Sequence, residues 1–141
     1  MRFGIIPSTL RERLALLAGM VPVPVVDCLV PLVQTRALMA AVRLGIFEAI
    51  GSETRNVADI ARSCKVDVGT LDMVLRLMRS TGYIEQSGVG QYRLSSLARR
   101  TMLPGARMEL RHYVEWNYLQ WRLLEHMEEL LETGKGLDIH H

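Results

Sequence analysis

The sequence predicts a mainly α fold: a winged-helix-like domain with a small β-hairpin, extra N-terminal helices and a long C-terminal helix. Three helical segments followed by two short strand segments occupy residues 37–103, which is the element order of a winged helix. An apolar segment with several prolines precedes them, and a segment rich in aromatic residues follows. We therefore expect three parts, over residues 1–36, 37–103 and 104–141.

The composition limits the possible classes of protein. The chain has 141 residues, 49% of them hydrophobic, and a formal net charge of +2. This apolar content is sufficient for a core, and the small charge gives no electrostatic footprint for nucleic acid. No secretory signal is evident, and Cys28 and Cys64 lack metal-ligand spacing. We therefore expect a cytoplasmic protein with two reduced core thiols.

A capping box predicts the first helix. Thr9 and Glu12 are three residues apart, so each side chain can bind a backbone amide at the start of a helix over residues 10–18. Three leucines recur along this segment at helical spacing: Leu10, Leu14 and Leu17.

Prolines interrupt the apolar segment that comes next. Pro22 and Pro24 predict an extended connector, followed by a second helix that starts near Val25 and is kinked or restarted at Pro31. The same prolines, together with Asp27, argue against a membrane span, and the apolar run is shorter than the ~20 residues that a bilayer requires. A buried or partner-covered segment is the preferred interpretation.

Capping residues also divide the region from 37 to 103. The second helix is expected to stop at Gly45, Asn56 is a predicted N-cap for a helix over residues 57–63, and Asp67 caps the next helix, which ends near Gly82. The buried stripe of that helix is predicted to comprise Leu71, Val74, Leu75 and Met78. Strands near Tyr83–Ile84 and Tyr92–Leu94 form the hairpin, and Ser95 or Ser96 caps a short helix through Leu103.

One long helix, with a possible bend, is predicted from Pro104 to Thr133. Four side chains lie three or four residues apart on it and can form one strip: His112, Trp116, Asn117 and Gln120. Trp116 would offer a flat apolar surface to an aromatic ligand, while the other three would orient its polar groups. Helix packing with one solvated edge explains the same pattern, so both interpretations stay open.

No catalytic, cofactor-binding or metal-binding set is recognisable in the sequence. Gly88 and Gly90 form a turn rather than a nucleotide fingerprint, because Arg93 occupies the place of the third glycine. His140 and His141 lie at the chain end without a Cys or His cluster elsewhere, so we interpret them as tail residues and not as metal ligands.

The helix capped by Asp67 occupies the DNA-recognition position of a winged helix, yet its first two turns carry aspartates and no cation. Recognition helices need Arg, Lys, Asn or Gln near the N-terminus to contact base edges. We therefore expect a protein-facing module. The alternative is a dimeric winged-helix DNA-binding transcription regulator that uses Arg76, Arg79 and Arg93.

Several sequence motifs resemble a known family. They are ALMAAVRLGIFEAI (residues 37–50), VADIA (57–61), LRLMRSTGYI (75–84) and YRLS (92–95), followed by Trp121, Leu124 and residues 133–135. In this order they are similar to the N-terminal dimerisation domain of the S-adenosylmethionine (SAM)-dependent O-methyltransferases that modify small aromatic natural products. The resemblance covers residues 29–141.

The resemblance implies a homodimer in which this domain covers the acceptor pocket, while a Rossmann-like domain binds SAM and carries the general base. The glycine-rich turn of such a domain is not found in this sequence. We therefore expect dimerisation helices over 1–36, a dimerisation domain over 37–103, and a linker helix over 104–141 leading to a missing catalytic domain.

The functional expectation is a dimerisation and substrate-cap domain that is not catalytic alone. Its expected partners are a second copy and a small aromatic acceptor, with neither nucleic acid nor membrane. The chain itself would hold no cofactor, and SAM would belong to the implied full-length enzyme. A weaker third hypothesis is a ligand-binding module whose pocket is the aromatic helix.

Overall fold

The computed structural model describes residue 7, residues 9–20 and residues 23–135, and this part of the chain forms eight helices and three strands. The helices are α1 (Leu10–Leu17), α2 (Val23–Arg43), α3 (Ile46–Ile50), α4 (Val57–Cys64), α5 (Val68–Arg79), α6 (Ser96–Thr101), α7 (Arg111–Leu124) and α8 (Met127–Thr133). The strands are β1 (Arg55–Asn56), β2 (Ile84–Gly88) and β3 (Gln91–Leu94). The predicted fold class is confirmed, and the differences concern where elements begin and end.

The predicted N-caps are confirmed. The Thr9 hydroxyl accepts a hydrogen bond from the Glu12 amide, and the Glu12 carboxylate accepts one from the Thr9 amide, both at 3.2 Å. Asn56 caps α4 through the Ala58 amide at 2.8 Å. Ser95, one of the two predicted candidates, caps α6. These short-range bonds satisfy the first amides of each helix, which have no partner within the helix itself.

The extended connector predicted at Pro24 is wrong, because α2 already begins at Val23. A proline in the first helical turn sacrifices no hydrogen bond, since the amides there have no partner within the helix. The helix also does not restart at Pro31, which lies within its 21 residues. Pro22 lies outside the described residues. None of the helices that the structure describes combines the length and hydropathy needed to cross a bilayer.

A single helix from Pro104 to Thr133 is also wrong. Residues 102–110 form a loop that folds back on α6, where the Leu110 amide donates to the Thr101 carbonyl at 2.8 Å. A helix starting at Pro104 would forfeit this contact. The helical region is then divided into α7 and α8 at residues 125–126, and α8 ends at Thr133 as predicted.

The sheet has one more strand than the predicted hairpin. Its order is β1-β3-β2, and both strand pairs are antiparallel. The two-residue strand β1 pairs Arg55 with Tyr92, which attaches the start of α4 to the hairpin. So short a strand carries no alternation of apolar and polar residues, so it could not be found from the sequence.

The core lies between the C-terminal half of α2, helices α3 to α5 and strand β3. The stripe predicted for α5 is confirmed: three of its residues are buried and Val74 is half-buried. Its neighbours in the core include four fully buried side chains: Met39, Phe47, Ile60 and Tyr92. Phe47 also packs edge to face on Tyr83, with ring centroids 6.2 Å apart.

The prediction for the cysteines holds for one of them. Both thiols are free. Cys64 is half-buried, and burial raises the pKa of its thiol. Cys28 is exposed and does not belong to the core, because it lies in the half of α2 that extends beyond it.

Asp67 caps α5, and its carboxylate accepts hydrogen bonds from the Thr70 amide and the Thr70 hydroxyl, each at 2.8 Å. These bonds, the backbone bond first, lower the pKa of Asp67. A lowered pKa in the folded state means that the carboxylate stabilises the fold above its unfolded pKa of about 3.9, and that this contribution disappears as the pH falls through the folded value.

We therefore expect Asp67→Ala to lower the free energy of unfolding at neutral pH, and Asp67→Asn to preserve most of it because an amide oxygen can also cap. The advantage of the native protein over Asp67→Asn should shrink on acidification from pH 6 to pH 3. Urea denaturation at both pH values measures this. An advantage that grows towards pH 3 would contradict the assignment.

Candidate functional site

The strip predicted on α7 is divided between solvent and protein. His112 and Trp116 are exposed, whereas Asn117 and Gln120 are half-buried. His112 Nδ1 lies 3.4 Å from a carboxylate oxygen of Glu115. Trp116 lies beside Tyr113, with ring centroids 6.3 Å apart and ring planes tilted by 31°. The exposed part of the strip is therefore His112 and Trp116, and Tyr113 forms an aromatic pair with Trp116.

A cavity of about 220 Å³ lies between α2, α7 and the 102–110 loop. It is lined by Thr35, Leu38, Met39, Tyr83, Met102, Leu110, Tyr113, Val114 and Asn117. Of the four predicted strip residues, Asn117 lines this cavity and the other three do not. The Asn117 amide nitrogen donates to the Tyr113 carbonyl at 2.7 Å, which leaves the amide oxygen available as an acceptor.

Two residues that line the cavity, Tyr113 and Thr35, are not among those predicted from the sequence. Tyr113 lies four residues before Asn117, so helical spacing could have indicated that the two share a face. Thr35 is on α2, about eighty positions away in sequence, and no local signal connects it with α7. Only the packing of α2 on α7 brings Thr35 to the same cavity.

Two arginines of α2 hold α7 in place through an aromatic ring. The guanidinium carbon of Arg43 lies 3.7 Å from the centroid of the Tyr118 ring, and that of Arg36 lies 4.8 Å from the same centroid. Arg36 is also 5.7 Å from the centroid of Trp121. Such cation–π contacts are each worth ~0.5–1 kcal/mol at exposed positions. They fix the orientation of α7, and with it the direction in which Trp116 projects.

The first residue of α7 is fixed by an ion pair. Arg111 Nη1 lies 2.5 Å from a carboxylate oxygen of Glu48 on α3, and Arg111 Nε lies 3.5 Å from Glu109. Nε is buried and makes no hydrogen bond. The guanidinium is mostly buried, so its two carboxylate neighbours offset much of the cost of removing the charge from water.

Large apolar side chains are exposed on the helices that flank the core. On α1 they are Leu10, Leu14 and Leu17, and on the N-terminal half of α2 they are Val25, Leu29, Val30, Leu32 and Val33. On α7 and α8 they are Tyr113, Trp116, Leu119, Leu124, Met127, Leu130 and Leu131. Where such side chains form one contiguous patch, the patch marks an interaction site.

The surface between α5 and the hairpin is polar, unlike the apolar faces of the flanking helices. An open, polar groove of about 660 Å³ runs between them and contains the three arginines of the DNA-binding alternative. Each of these arginines already has a partner within the chain: Asp72 for Arg76 (2.6 Å), Gln86 for Arg79 (2.6 Å) and Glu85 for Arg93 (2.7 Å). Two of the three charges are thus paired with carboxylates, which weakens their attraction for phosphate.

Asp72 also anchors the sheet to α5. The hydroxyl of the buried Tyr92 donates to Asp72 Oδ1 at 2.6 Å, while Asp72 Oδ2 pairs with Arg76. Burial raises the pKa of Tyr92, which further favours the protonated hydroxyl that donates this bond. The acidic residue in the second turn of α5 therefore serves the fold, and it also places a negative charge where a DNA-recognition helix needs a cation.

The described residues do not fit a SAM site of the Rossmann type. Such a site needs a parallel strand followed by a glycine-rich turn and a helix, whereas every strand pair described here is antiparallel. Within the same residues, no three His, Cys, Asp or Glu side chains are grouped as a metal site.

Three features together define a protein-interaction domain. They are a buried helical core, flanking helices with exposed apolar side chains, and paired charges on the helix at the recognition position. The O-methyltransferase dimerisation domain family matches residues 27–103, which is more than half of the chain, and the chain belongs to this family. A comparison with curated proteins gives no match.

Solved structures of methyltransferases share the fold. Human N-acetylserotonin methyltransferase, determined in complex with SAM, matches 94% of this chain with a TM-score of 0.71 and 17% identity. The mitomycin 7-O-methyltransferase matches 90% with a TM-score of 0.70 and 22% identity. An O-methyltransferase family protein from Burkholderia thailandensis matches 92% with a TM-score of 0.63 and 20% identity.

The chain spans about a third of the length of these solved structures: 38% of the human protein, 37% of the mitomycin enzyme and 35% of the Burkholderia protein.

Proposed function

We propose that this chain is the dimerisation and substrate-cap domain of a SAM-dependent O-methyltransferase that acts on small aromatic molecules in the cytoplasm. It forms a homodimer, contacts the acceptor and performs no catalysis alone. SAM and the reacting groups belong to the rest of the enzyme. The observation that carries this proposal is the exposed apolar surface of α1, α2, α7 and α8 on a chain of the O-methyltransferase dimerisation family.

The acceptor is proposed to contact the exposed side of α7 through Trp116 and His112, with Asn117 and Gln120 at its edge. The aromatic pair of Trp116 and Tyr113 offers a surface on which a flat ring can stack, and His112 can hydrogen-bond to a polar substituent. Two of the solved relatives are named for N-acetylserotonin and mitomycin, which supports a small organic acceptor.

Tryptophan fluorescence during titration with flat phenolic compounds tests the acceptor strip. We expect quenching in the native chain and in Trp121→Phe, because Trp121 is half-buried against Arg36. The signal should be lost in Trp116→Phe, which removes the exposed indole. Equal loss in both variants, or quenching that depends on Trp121 alone, would contradict the assignment of the strip.

Calorimetry with SAM tests whether the methyl donor binds to this chain or to the rest of the enzyme. We expect no binding heat from this chain, since its described strands build no Rossmann-type site. Tight SAM binding would overturn the proposal that the donor site lies elsewhere. A chain that binds phenolic compounds but stays monomeric would favour a ligand-binding module instead.

A further inference from the structure

Three exposed arginines follow the hairpin. They are Arg99 and Arg100 on α6 and Arg107 in the 102–110 loop. Arg99 Nη1 donates to the Leu94 carbonyl at 2.8 Å, a contact that leaves the positive charge without a counter-charge. Within the part of the chain that the structure describes, none of the three forms an ion pair. Their charges can therefore attract an anionic partner.

The fold of the 102–110 loop brings these charges to one surface. The Met108 amide donates to the Arg100 carbonyl at 3.2 Å, so the segment that carries Arg107 lies beside α6. The surface has five members, which we call the α6 basic patch: Leu97, Arg99, Arg100, Arg107 and Met108. The patch is a product of the fold, because its two segments are separated in the sequence by the turn at Pro104 and Gly105.

The patch also contains two large apolar side chains. Met108 is 63% exposed and Leu97 is 40% exposed. Leu97 precedes Arg100 by three positions on α6, so these two residues share a helical face. Arginine and methionine are both enriched in protein–protein interfaces relative to the rest of a protein surface. A partner can therefore cover apolar surface here as well as pair with the charges.

The carboxylates near the patch are already engaged. Glu109 accepts a hydrogen bond from the Gly105 amide at 2.8 Å, and its other oxygen lies 3.5 Å from Arg111 Nε. Glu48 on α3 also pairs with Arg111. Residues 95–113 include four arginines and one glutamate, so this segment has a formal net charge of +3, more than the +2 of the whole chain. The positive charge of the chain is thus concentrated at the patch.

We propose that the α6 basic patch binds an acidic segment of a partner protein in which carboxylates alternate with apolar side chains. The carboxylates pair with the guanidinium groups, and the apolar side chains cover Met108 and Leu97. Charge complementarity makes the partner acidic, and the exposed methionine and leucine favour a protein. An anionic membrane is less suited, because its recognition typically uses clusters of about four to eight basic residues. The proposal depends on neither the acceptor strip nor the homodimer.

Calorimetry with a synthetic peptide tests the patch. The peptide has about 20 residues, more than an isolated helix needs, with glutamates flanking a stripe of leucines. We expect binding at low ionic strength that weakens as salt is added. Arg100→Gln with Arg107→Gln should raise the dissociation constant roughly tenfold, since each exposed ion pair contributes a factor of a few. The matched control, Arg79→Gln with Arg93→Gln, removes equal charge from the groove beside α5 and should bind like the native chain.

Met108→Ser distinguishes a protein partner from other anions, because it keeps every arginine. We expect it to weaken peptide binding by roughly fivefold through the lost apolar contact. Absence of peptide binding at low ionic strength, equal loss in the two double variants, or no effect of Met108→Ser would overturn the proposal.

Two further measurements test other occupants of the patch. Tighter binding of a single-stranded oligonucleotide or of phosphatidylserine vesicles than of the peptide would assign the patch to nucleic acid or to a membrane, and the proposal would be wrong. Light scattering without peptide tests a second copy of the chain. Self-association that is lost in Arg100→Gln with Arg107→Gln would make that copy the occupant and would also overturn the proposal.

Discussion

Val33→Glu is expected to convert the proposed homodimer into monomers at micromolar concentration. Val33 is 55% exposed on α2, within the apolar surface proposed as the interface. Burying an unpaired carboxylate in an interface costs ~2 kcal/mol or more, and a two-fold dimer buries it twice. The dissociation constant should therefore rise by roughly a thousandfold, at 1.4 kcal/mol for each factor of ten.

Analytical ultracentrifugation over a concentration series measures this change. Val89→Glu is the matched control, because Val89 is 95% exposed at the hairpin turn, away from the apolar helices. We expect Val89→Glu to dimerise like the native chain. If both variants dissociate equally, or neither does, the N-terminal half of α2 is not the interface.

The second large effect is expected in the core of the protomer. Met78→Ala removes a fully buried side chain from α5 and should lower the free energy of unfolding by ~2–5 kcal/mol, because the truncation loses burial and leaves a cavity. Met73→Ala makes the same chemical change on the same helix, where the side chain is 66% exposed. Its effect should be within about 0.5 kcal/mol.

Urea denaturation of the two variants, at equal protomer concentration, provides the comparison. Equal concentration matters because the stability of a dimer depends on it. A loss at position 73 as large as the loss at position 78 would mean that the exposed side of α5 is covered by a partner. That result would contradict the assignment of Met73 to the solvent-exposed side.

The three arginines of the DNA-binding alternative have partners within the chain, and so has Asp72 on α5. Asp67 caps α5 and Asp72 lies in its second turn, at the end of the helix that would approach the bases in a DNA-binding protein, and Asp72 is held there by Tyr92 and Arg76. Reversing this charge would break a network that attaches the sheet to α5. The paired charges of α5 thus connect the helix to the sheet, and the large exposed apolar side chains lie mainly on other helices.

Helix starts could be predicted from the sequence because capping is a short-range event. Thr9, Asn56, Asp67 and Ser95 each bind a backbone amide two or three residues away, so the residues that decide the outcome are neighbours in the chain. The same locality explains why the buried stripe on α5 could be predicted, since its helical period of 3.6 residues is visible in the sequence.

Element limits that depend on distant residues could not be predicted. In residues 102–110 the only local signals against a helix are Pro104 and Gly105. The segment forms a loop in which the Leu110 amide donates a hydrogen bond to the Thr101 carbonyl. The start of α2 at Val23 could not be predicted either. A proline in the first turn of a helix is tolerated and a later one breaks the helix, and the sequence alone does not show which position Pro24 occupies.

The candidate site divides in the same way. Helical spacing selects the strip on α7, but it cannot tell which edge faces solvent, since that depends on where Arg36 and Arg43 meet Tyr118. The site residues themselves remain a prediction.

By itself the sequence determined the mainly helical class, the caps, the α5 stripe and the family resemblance, because each depends on neighbouring residues or on the order of motifs. Tertiary structure alone decided the third strand, the loop before α7 and the cavity that joins Thr35 to Asn117. These depend on contacts between residues far apart in the chain, and no local pattern encodes which distant partner a side chain meets.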